Sequence, residues 1–304
     1  MTLALLCSGQ GLQSHDMFAL TADAPGADAI FAAAAEPLGE DPRHFVAYAG
    51  EALFANRASQ ILCVTQALAI DACIADILPE RRVVAGYSVG EVAAWGIAGV
   101  WDAAQTLAIV RARAEAMDAV SCGDAGLASI RGLAQAEVAR LVEHHGCEIA
   151  IVDPDLLFIV GGQRSDLEQV CDAARAAGAA RAGLLAVHVA SHTSALREAV
   201  APFTDALATV PTLRPKRGTT LLSAVDGSRV FDPKTGVAAL AAQVGRRIDW
   251  AAVVAAMVEA GVDTVLELGP GKALAAMVRD SLPSLRVRSI DDFRSLDGVR
   301  NWLG

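Results

Sequence analysis

Apolar positions along the chain fall into runs of two kinds. Residues 3–7 and 83–85 are short, continuous apolar runs and read as buried strands of a parallel sheet. Between them, Ile61, Leu62, Val64, Leu68, Ile70, Ile74 and Ile77 recur at helical spacing. They predict a helix over 56–78 that stops before Pro79. Residues 16–39 are Ala-rich and helical in composition, interrupted by Pro25 and Gly26. Residues 91–99 and 102–119 read as helices, the second with Asp102 as its N-cap.

The pattern changes after Cys122. Residues 127–133 predict a strand and 135–145 a helix. Residues 149–152 and 156–160 predict two strands around Asp153-Pro154-Asp155. A helix over 165–177 then ends at Gly178, and 182–189 predicts a last strand. This β-α-β-β-α-β order is ferredoxin-like. It assigns residues 126–189 to an inserted α+β small domain. Residues 1–125 and 190–304 form one α/β hydrolase-like domain with a parallel sheet. Within the second part, 193–207 is helical, 219–224 is a strand, and Asp226-Gly227 is a turn. A helix over 249–260 is closed by Gly261, followed by a strand over 264–268. The loop Gly269-Pro270-Gly271-Lys272 opens a helix over 273–282. No internal repeat, low-complexity tract or linker interrupts the chain.

Composition narrows the classes. At 54% hydrophobic, 304 residues can bury a sizeable core. A net charge of −10 argues against nucleic acid or an anionic membrane as the main partner. Cys7, Cys63, Cys73, Cys122, Cys147 and Cys171 are scattered without a C-x-x-C pair. They read as reduced core residues of a cytosolic protein, not as a disulfide framework or a metal site. The apolar stretch 2–7 is too short for a secretory leader and is broken at Ser8-Gly9-Gln10-Gly11. No run reads as long enough to span a membrane.

Candidate chemistry centres on Arg82-Val-Val-Ala-Gly-Tyr-Ser-Val-Gly-Glu91. Strand, G-x-S-x-G and helix follow one another, which is the context of a nucleophile elbow. Ser88 is then an exposed nucleophile, and the Val89 N–H faces a developing oxyanion. Gly9-Gln10-Gly11 after the first strand invites comparison with a dinucleotide fingerprint. Ser14 stands where the third glycine belongs, and no acidic residue ends a second strand about twenty residues on. A base for Ser88 is one of His15, His44, His144, His145, His188 and His192. The first four lie in polar loops or at a helix end. His188 and His192 lie near a strand end that re-enters the large domain, and spacing alone does not separate them.

In its motifs the chain resembles the malonyl-CoA:acyl-carrier-protein acyltransferases. Cys7-Ser8-Gly9-Gln10-Gly11-Leu12-Gln13 is similar to that family's opening Phe-Pro-Gly-Gln-Gly-Ser-Gln. Gly86-Tyr87-Ser88-Val89-Gly90-Glu91 is similar to its Gly-His-Ser-Leu-Gly-Glu. Arg113 with Met117, Ser191-His192-Thr193, residues 243–250, and Glu267-Leu268-Gly269-Pro270-Gly271 complete the set in order. The resemblance implies Ser88 as nucleophile and His192 as general base. It also implies backbone N–H groups of Gln10 and Val89 as oxyanion hole, and Arg113 as the partner of a malonyl carboxylate. A backbone carbonyl orients the histidine in that family, and the matching position here is Arg246. Malonyl-CoA is then the substrate and a carrier-protein thiol the acceptor, with no metal or cofactor of the enzyme's own. An acidic carrier needs a positive patch, for which Arg181, Arg246, Arg247, Lys272 and Arg279 are candidates. Val189-Ala190-Ser191-His192 resembles the malonyl-selective bacterial form.

Some positions depart from the family pattern. Phe-Pro is Cys7-Ser8, the residue before the nucleophile is Tyr87 and not His, and the small domain's Asn-x-x-x-Gln falls on Asp153 and Leu157. The first two departures resemble the malonyltransferase (epsilon) subunit of biotin-independent malonate decarboxylase. There the carrier holds a modified dephospho-CoA arm, and other decarboxylase subunits are partners. The same transfer in fatty-acid synthesis, a serine thioesterase or patatin-like lipase, and an idle scaffold subunit are the other readings.

Overall fold

Leu3–Cys7, apolar at every position, is the middle strand of a five-stranded sheet and is buried on both faces. The computed structural model describes residues 2–121 and 123–304, so the expectation for Cys122 lies outside the described residues. Its strands are β1 (Leu3–Cys7), β2 (Arg82–Gly86), β3 (Ala125–Arg131), β4 (Glu148–Asp153), β5 (Leu157–Gln163), β6 (Arg181–Leu184), β7 (Thr219–Leu221), β8 (Ile248–Asp249), β9 (Thr264–Glu267) and β10 (Arg286–Ser289).

The first sheet has the order β10-β9-β1-β2-β7, and every ladder in it is parallel. Successive residues of a strand point to opposite faces, so β1 feeds two cores at once. Leu3, Leu5 and Cys7 pack with the helices Asp28–Leu38, Asn56–Ile74 and Ala103–Val120. Ala4 and Leu6 pack with the helices Trp250–Glu259 and Ala273–Ser281. Each large apolar side chain so buried stabilises the fold by roughly 1.5–3 kcal/mol. The chain runs from β1 outward through β2 to β7, then returns to β9 on the other side of β1. Loops after β1, β2 and β9 therefore meet at the carboxyl ends of the strands, where open parallel sheets bind ligands.

The second sheet has the order β6-β3-β5-β4-β8, antiparallel except for the β4–β8 pair. Ala128, Ile130, Phe158 and Val160 face the helices Gln135–His144 and Arg164–Ala176 and form a separate core. Leu127, Ile151 and Ile159 face the other way and join the core beneath the parallel sheet. The two sheets thus share a wall, and on the second sheet's side the cleft between them is lined by Leu157 and Ile159 together with Ser129, Arg131, Asp153 and Arg181.

Several elements differ from the sequence reading. The strand expected over 182–189 ends at Leu184, because the chain leaves β3 after Leu185 N–H bonds Leu127 O and turns toward the parallel sheet. The helix expected over 193–207 is a 3-10 stretch, Ser194–Ala199, kinked at Leu196, followed by the α-helix Val200–Ala208. Short elements with weak apolar patterns, such as β8, β10 and the helices Pro42–Tyr48 and Leu296–Leu303, had no counterpart in that reading. The segment Asn56–Ile77 is long and apolar enough to cross a membrane, contrary to expectation, but 83% of that window is buried inside the protein. Its apolar character serves the core, where it packs on β1 and the helices Gly90–Ile97 and Ala103–Val120.

Candidate active site

Gly86 and Gly90 bring β1, β2 and the following helix closer than any side chain allows. A Cβ on Gly86 would lie 2.0 Å from the Gly90 backbone, and one on Gly90 would lie 2.1 Å from Cys7 O. Between them Ser88 adopts a left-handed backbone, φ 55°, at the turn from β2 into the helix Gly90–Ile97. This is the strained elbow that the spacing predicts.

His192 Nε2 lies 2.7 Å from Ser88 Oγ. His188, the other candidate near this strand end, is exposed and makes no contact with Ser88. His192 also has a left-handed backbone, φ 65°, and its N–H donates to Val244 O. On the far side of the ring, Nδ1 lies 2.5 Å from the backbone carbonyl of Gln243. A carbonyl only accepts, so Nδ1 carries the proton and Nε2 is free to accept from Ser88. Burial, reinforced by the Arg113 charge and opposed by the Gln243 bond, pushes the His192 pKa down to about 3. The imidazole is therefore neutral across the physiological range.

The orienting carbonyl corrects the expectation of Arg246. Gln243–Gly245 is a 3-10 turn that aims the Gln243 and Val244 carbonyls at His192. Arg246 is extended and exposed, three residues on, and lines a separate 380 Å³ surface pocket with Arg247 and Asp226.

Arg113 is fully buried on the helix Ala103–Val120. Its Nη1 donates to Gln60 Oε1 at 2.6 Å and its Nη2 to Gln243 Oε1 at 3.3 Å, while Nε is buried without a partner. Gln243 Nε2 donates in turn to Glu91 Oε2 at 2.6 Å and to Ser88 O at 3.3 Å. One glutamine thus ties the arginine, the elbow and the histidine together. Glu91 is fully buried, and desolvation pushes its carboxyl up to about 7, opposed by the Gln243 bond and the Arg113 charge. Desolvation draws Arg113 down to about 10, which leaves it cationic at neutral pH. Met117 Sδ accepts from Gln60 Nε2, so the Arg-x-x-x-Met spacing places both residues on one helix face beside Gln60.

The loop after β1 lies over the elbow. A Cβ on Gly9 would come within 3.7 Å of Ser88 Cβ, and Gln10 lines the same 60 Å³ chamber as Ser88 and His192. Among the described residues, the N–H groups of Gln10 and Val89 meet no acceptor. The chamber shares Gly9, Gln10, Tyr87, Ile159, Leu185 and Val187 with a 670 Å³ cleft between the two sheets.

The positions that depart from the family pattern pair with one another or with neighbours. Tyr87 Oη donates to Asp153 Oδ2 at 3.1 Å, across the two sheets. Ser8 Oγ donates to Glu267 Oε1 at 2.8 Å, and Glu267 also accepts from the N–H groups of Leu274 and Ala275. Asp153 and Glu267 are buried, and desolvation pushes each up to about 7. Leu157 lines the cleft as an apolar side chain. Of the candidate docking cations, Lys272 and Arg279 both face Asp292, at 2.8 and 3.6 Å, and Arg181 lines the cleft.

Sequence reasoning missed Gln60 and Gln243 as site residues. Gln60 carried a signal, since it is a polar side chain within the apolar helix Asn56–Ile74 and is wholly buried. Gln243 carried none beyond its place in the closing motif.

No family model matches the chain. It is 34% identical over 206 residues to the polyketide synthase GfsB of Streptomyces halstedii, of whose length it spans only 4%. It is 28% identical over 304 residues to the malonyl CoA-acyl carrier protein transacylase of Mycobacterium bovis, covering 98% of this chain and 99% of that one. The crystal structure of an acyl-carrier-protein S-malonyltransferase from Burkholderia pseudomallei 1710b superimposes with a TM-score of 0.91 at 28% identity. That match covers 99% of this chain and all of the other.

Proposed function

We infer that the chain belongs to the malonyl-CoA:acyl-carrier-protein transacylase family, and propose that it is a malonyltransferase working through Ser88. Malonyl passes from the thioester of CoA to Ser88, then to the prosthetic-group thiol of a carrier protein. The observation that carries this reading is the buried relay from Arg113 through Gln243 to His192 and Ser88.

In the first half-reaction Ser88 Oγ attacks the thioester carbonyl as His192 Nε2 takes its proton. The tetrahedral oxyanion is held by the N–H groups of Gln10 and Val89. The C–S bond then breaks, and His192 returns the proton to the departing thiolate. The second half-reaction reverses these steps with the carrier thiol as nucleophile. Gln243 O keeps Nδ1–H in the required tautomer throughout and stabilises the transient imidazolium. A malonyl carboxylate entering this site meets Arg113, whose Nε is unpartnered and whose charge has no carboxylate bonded to it. Such a pair is strong in a dry site, because leaving either charge alone there is costly.

The finer setting we propose is malonate decarboxylation, within the cytosol. Its support is that Ser8, Tyr87 and Asp153 depart as bonded partners and not as isolated changes, which alters the cleft through which the arm passes. The test is malonyl transfer from malonyl-CoA to two purified carriers. One comes from fatty-acid synthesis and one, with its modified dephospho-CoA arm, from malonate decarboxylase. Faster transfer to the second supports the setting, and preference for the first assigns the enzyme to fatty-acid synthesis.

A further inference from the structure

Glu91, in the first turn of the helix Gly90–Ile97, is wholly buried and stands one amide away from Arg113. Gln243 joins the two: its Nε2 donates to Glu91 Oε2 at 2.6 Å, and its Oε1 accepts from Arg113 Nη2 at 3.3 Å. An amide nitrogen only donates, so Glu91 Oε2 must accept. Glu91 Oε1 is buried with no hydrogen-bond partner. A carboxylate with one bare buried oxygen is poorly solvated, and the neutral acid, protonated on Oε1, suits the site better. Arg113 is the charged group that acts on Glu91. His192 is neutral, and burial keeps the thiols of Cys7 on β1 and Cys63 on the helix Asn56–Ile74 protonated. Arg82 begins β2, at the end away from the elbow, and Asp71 lies within its field. Arg57, Arg111, Glu115, Asp118 and Lys234, on the surrounding helices, reach the surface.

We propose that Glu91 competes with the malonyl carboxylate for the charge of Arg113, so that the site takes a malonyl group with Glu91 protonated. This rests on the malonyltransferase reading above. One buried guanidinium offsets one carboxylate. With Glu91 ionised, a malonyl group would bring a second negative charge into the field of the same arginine, where low polarity makes like charges costly. With Glu91 neutral, the full charge of Arg113 is left for the substrate. Glu91 is a positioning residue: it touches no reacting atom and acts through Gln243 and the field of Arg113. Acylation itself moves one proton from Ser88 through His192 to the leaving thiolate and is neutral overall. The proton on Glu91 comes from solvent and returns there when the malonyl group leaves. Selectivity for malonyl over an uncharged acyl group therefore depends on pH, although neither His192 nor Ser88 titrates in that range.

The test is the ratio of kcat/KM for acylating Ser88 with malonyl-CoA and with acetyl-CoA, measured against pH in the wild type and in the near-isosteric Glu91→Gln. The ratio cancels whatever both donors share, including the base. In the wild type it should fall about tenfold between about pH 6 and 8, as one ionisation near 7 dictates. That loss runs toward high pH, opposite in direction to protonation of His192. In Glu91→Gln the ratio should stay level with pH. A level ratio in the wild type, or a fall that persists in Glu91→Gln, would overturn the proposal. A second measurement needs no variant, in case Glu91→Gln fails to fold. In dilute buffer near pH 7, acylation by malonyl-CoA should take up a fraction of a proton per adduct, and acylation by acetyl-CoA none. Equal uptake with both donors, or none with malonyl-CoA, would also overturn it. If malonyl-CoA leaves no adduct on Ser88 at any pH, it is the malonyltransferase reading that fails.

Discussion

Ser88 and His192 meet at 2.7 Å, and both hold left-handed backbones, with φ of 55° and 65°. Such conformations cost of order 1–3 kcal/mol each and persist only where the surroundings enforce them. Gly86 and Gly90 enforce the first, and the 3-10 turn Gln243–Gly245 enforces the second. Gly90→Ala should therefore destabilise by at least about 1–3 kcal/mol, the usual result of overpacking. Urea denaturation measures this. A neutral result would mean that the elbow can relax away from Cys7 O.

His192→Ala should slow acylation by roughly 10²–10⁴-fold, the range for a positioned base. His188→Ala should change it far less, since His188 is exposed and away from Ser88. Single-turnover acylation of each variant distinguishes the two, and equal effects would remove His192 from the role of base.

The pKa of His192, held near 3 by burial and then by Arg113, sets the pH profile. Acylation kcat/KM should show no titration of this base near pH 6.5 and should lose it only toward pH 3. Arg113→Gln removes a charge that disfavours the imidazolium, so the acid limb should move to higher pH. A wild-type limb centred near 6.5 would show an ordinary, solvated histidine.

Glu91 gives a stability counterpart. Its folded pKa of about 7 lies above the ordinary 4.5, so the native state holds a proton that the unfolded chain releases between those values. Stability from this group is present below pH 4.5 and is lost as pH rises toward 7. His192 acts in the opposite sense between 6.5 and about 3, since there the unfolded chain binds the extra proton. Comparing Glu91→Gln with the wild type isolates the first effect: its Tm should fall less between pH 4.5 and 7. An unchanged slope would mean that Glu91 stays ionised and paired.

The elbow and the order of elements around it were legible in the sequence because each is local. Glycine spacing fixes the turn at Ser88, and continuous apolar runs mark β1 and β2. The β-α-β-β-α-β order also carried through to the β6-β3-β5-β4 arrangement. What stayed hidden depends on contacts between distant segments. Which carbonyl meets His192 is decided by a single 3-10 turn, so Gln243 was read one turn late, as Arg246. Tyr87 and Asp153 are 66 positions apart, and nothing local couples them. β10, with Arg286 and Arg288 alternating against Val287 and Ser289, looks too polar for a strand until its place at the sheet edge is seen.

Arg113 separates malonyl transfer from general acyl transfer. Arg113→Ala should lower malonyl kcat/KM by about 2–5 kcal/mol, as expected on breaking a desolvated charge pair. Arg113→Lys should recover part of that, since an ammonium cannot form the paired fork. Acetyl-CoA has no carboxylate and should not share the loss. A malonyl-to-acetyl ratio constant across the three proteins would take Arg113 out of substrate recognition.

The central claim is a seryl-malonyl intermediate at Ser88. Its most direct measurement is the mass of the Ser88 peptide after the protein meets malonyl-CoA without any carrier. The account predicts one malonyl group on that peptide, absent from Ser88→Ala and discharged from the wild type by a carrier thiol. An unmodified peptide, or a malonyl group carried on another residue, would contradict it.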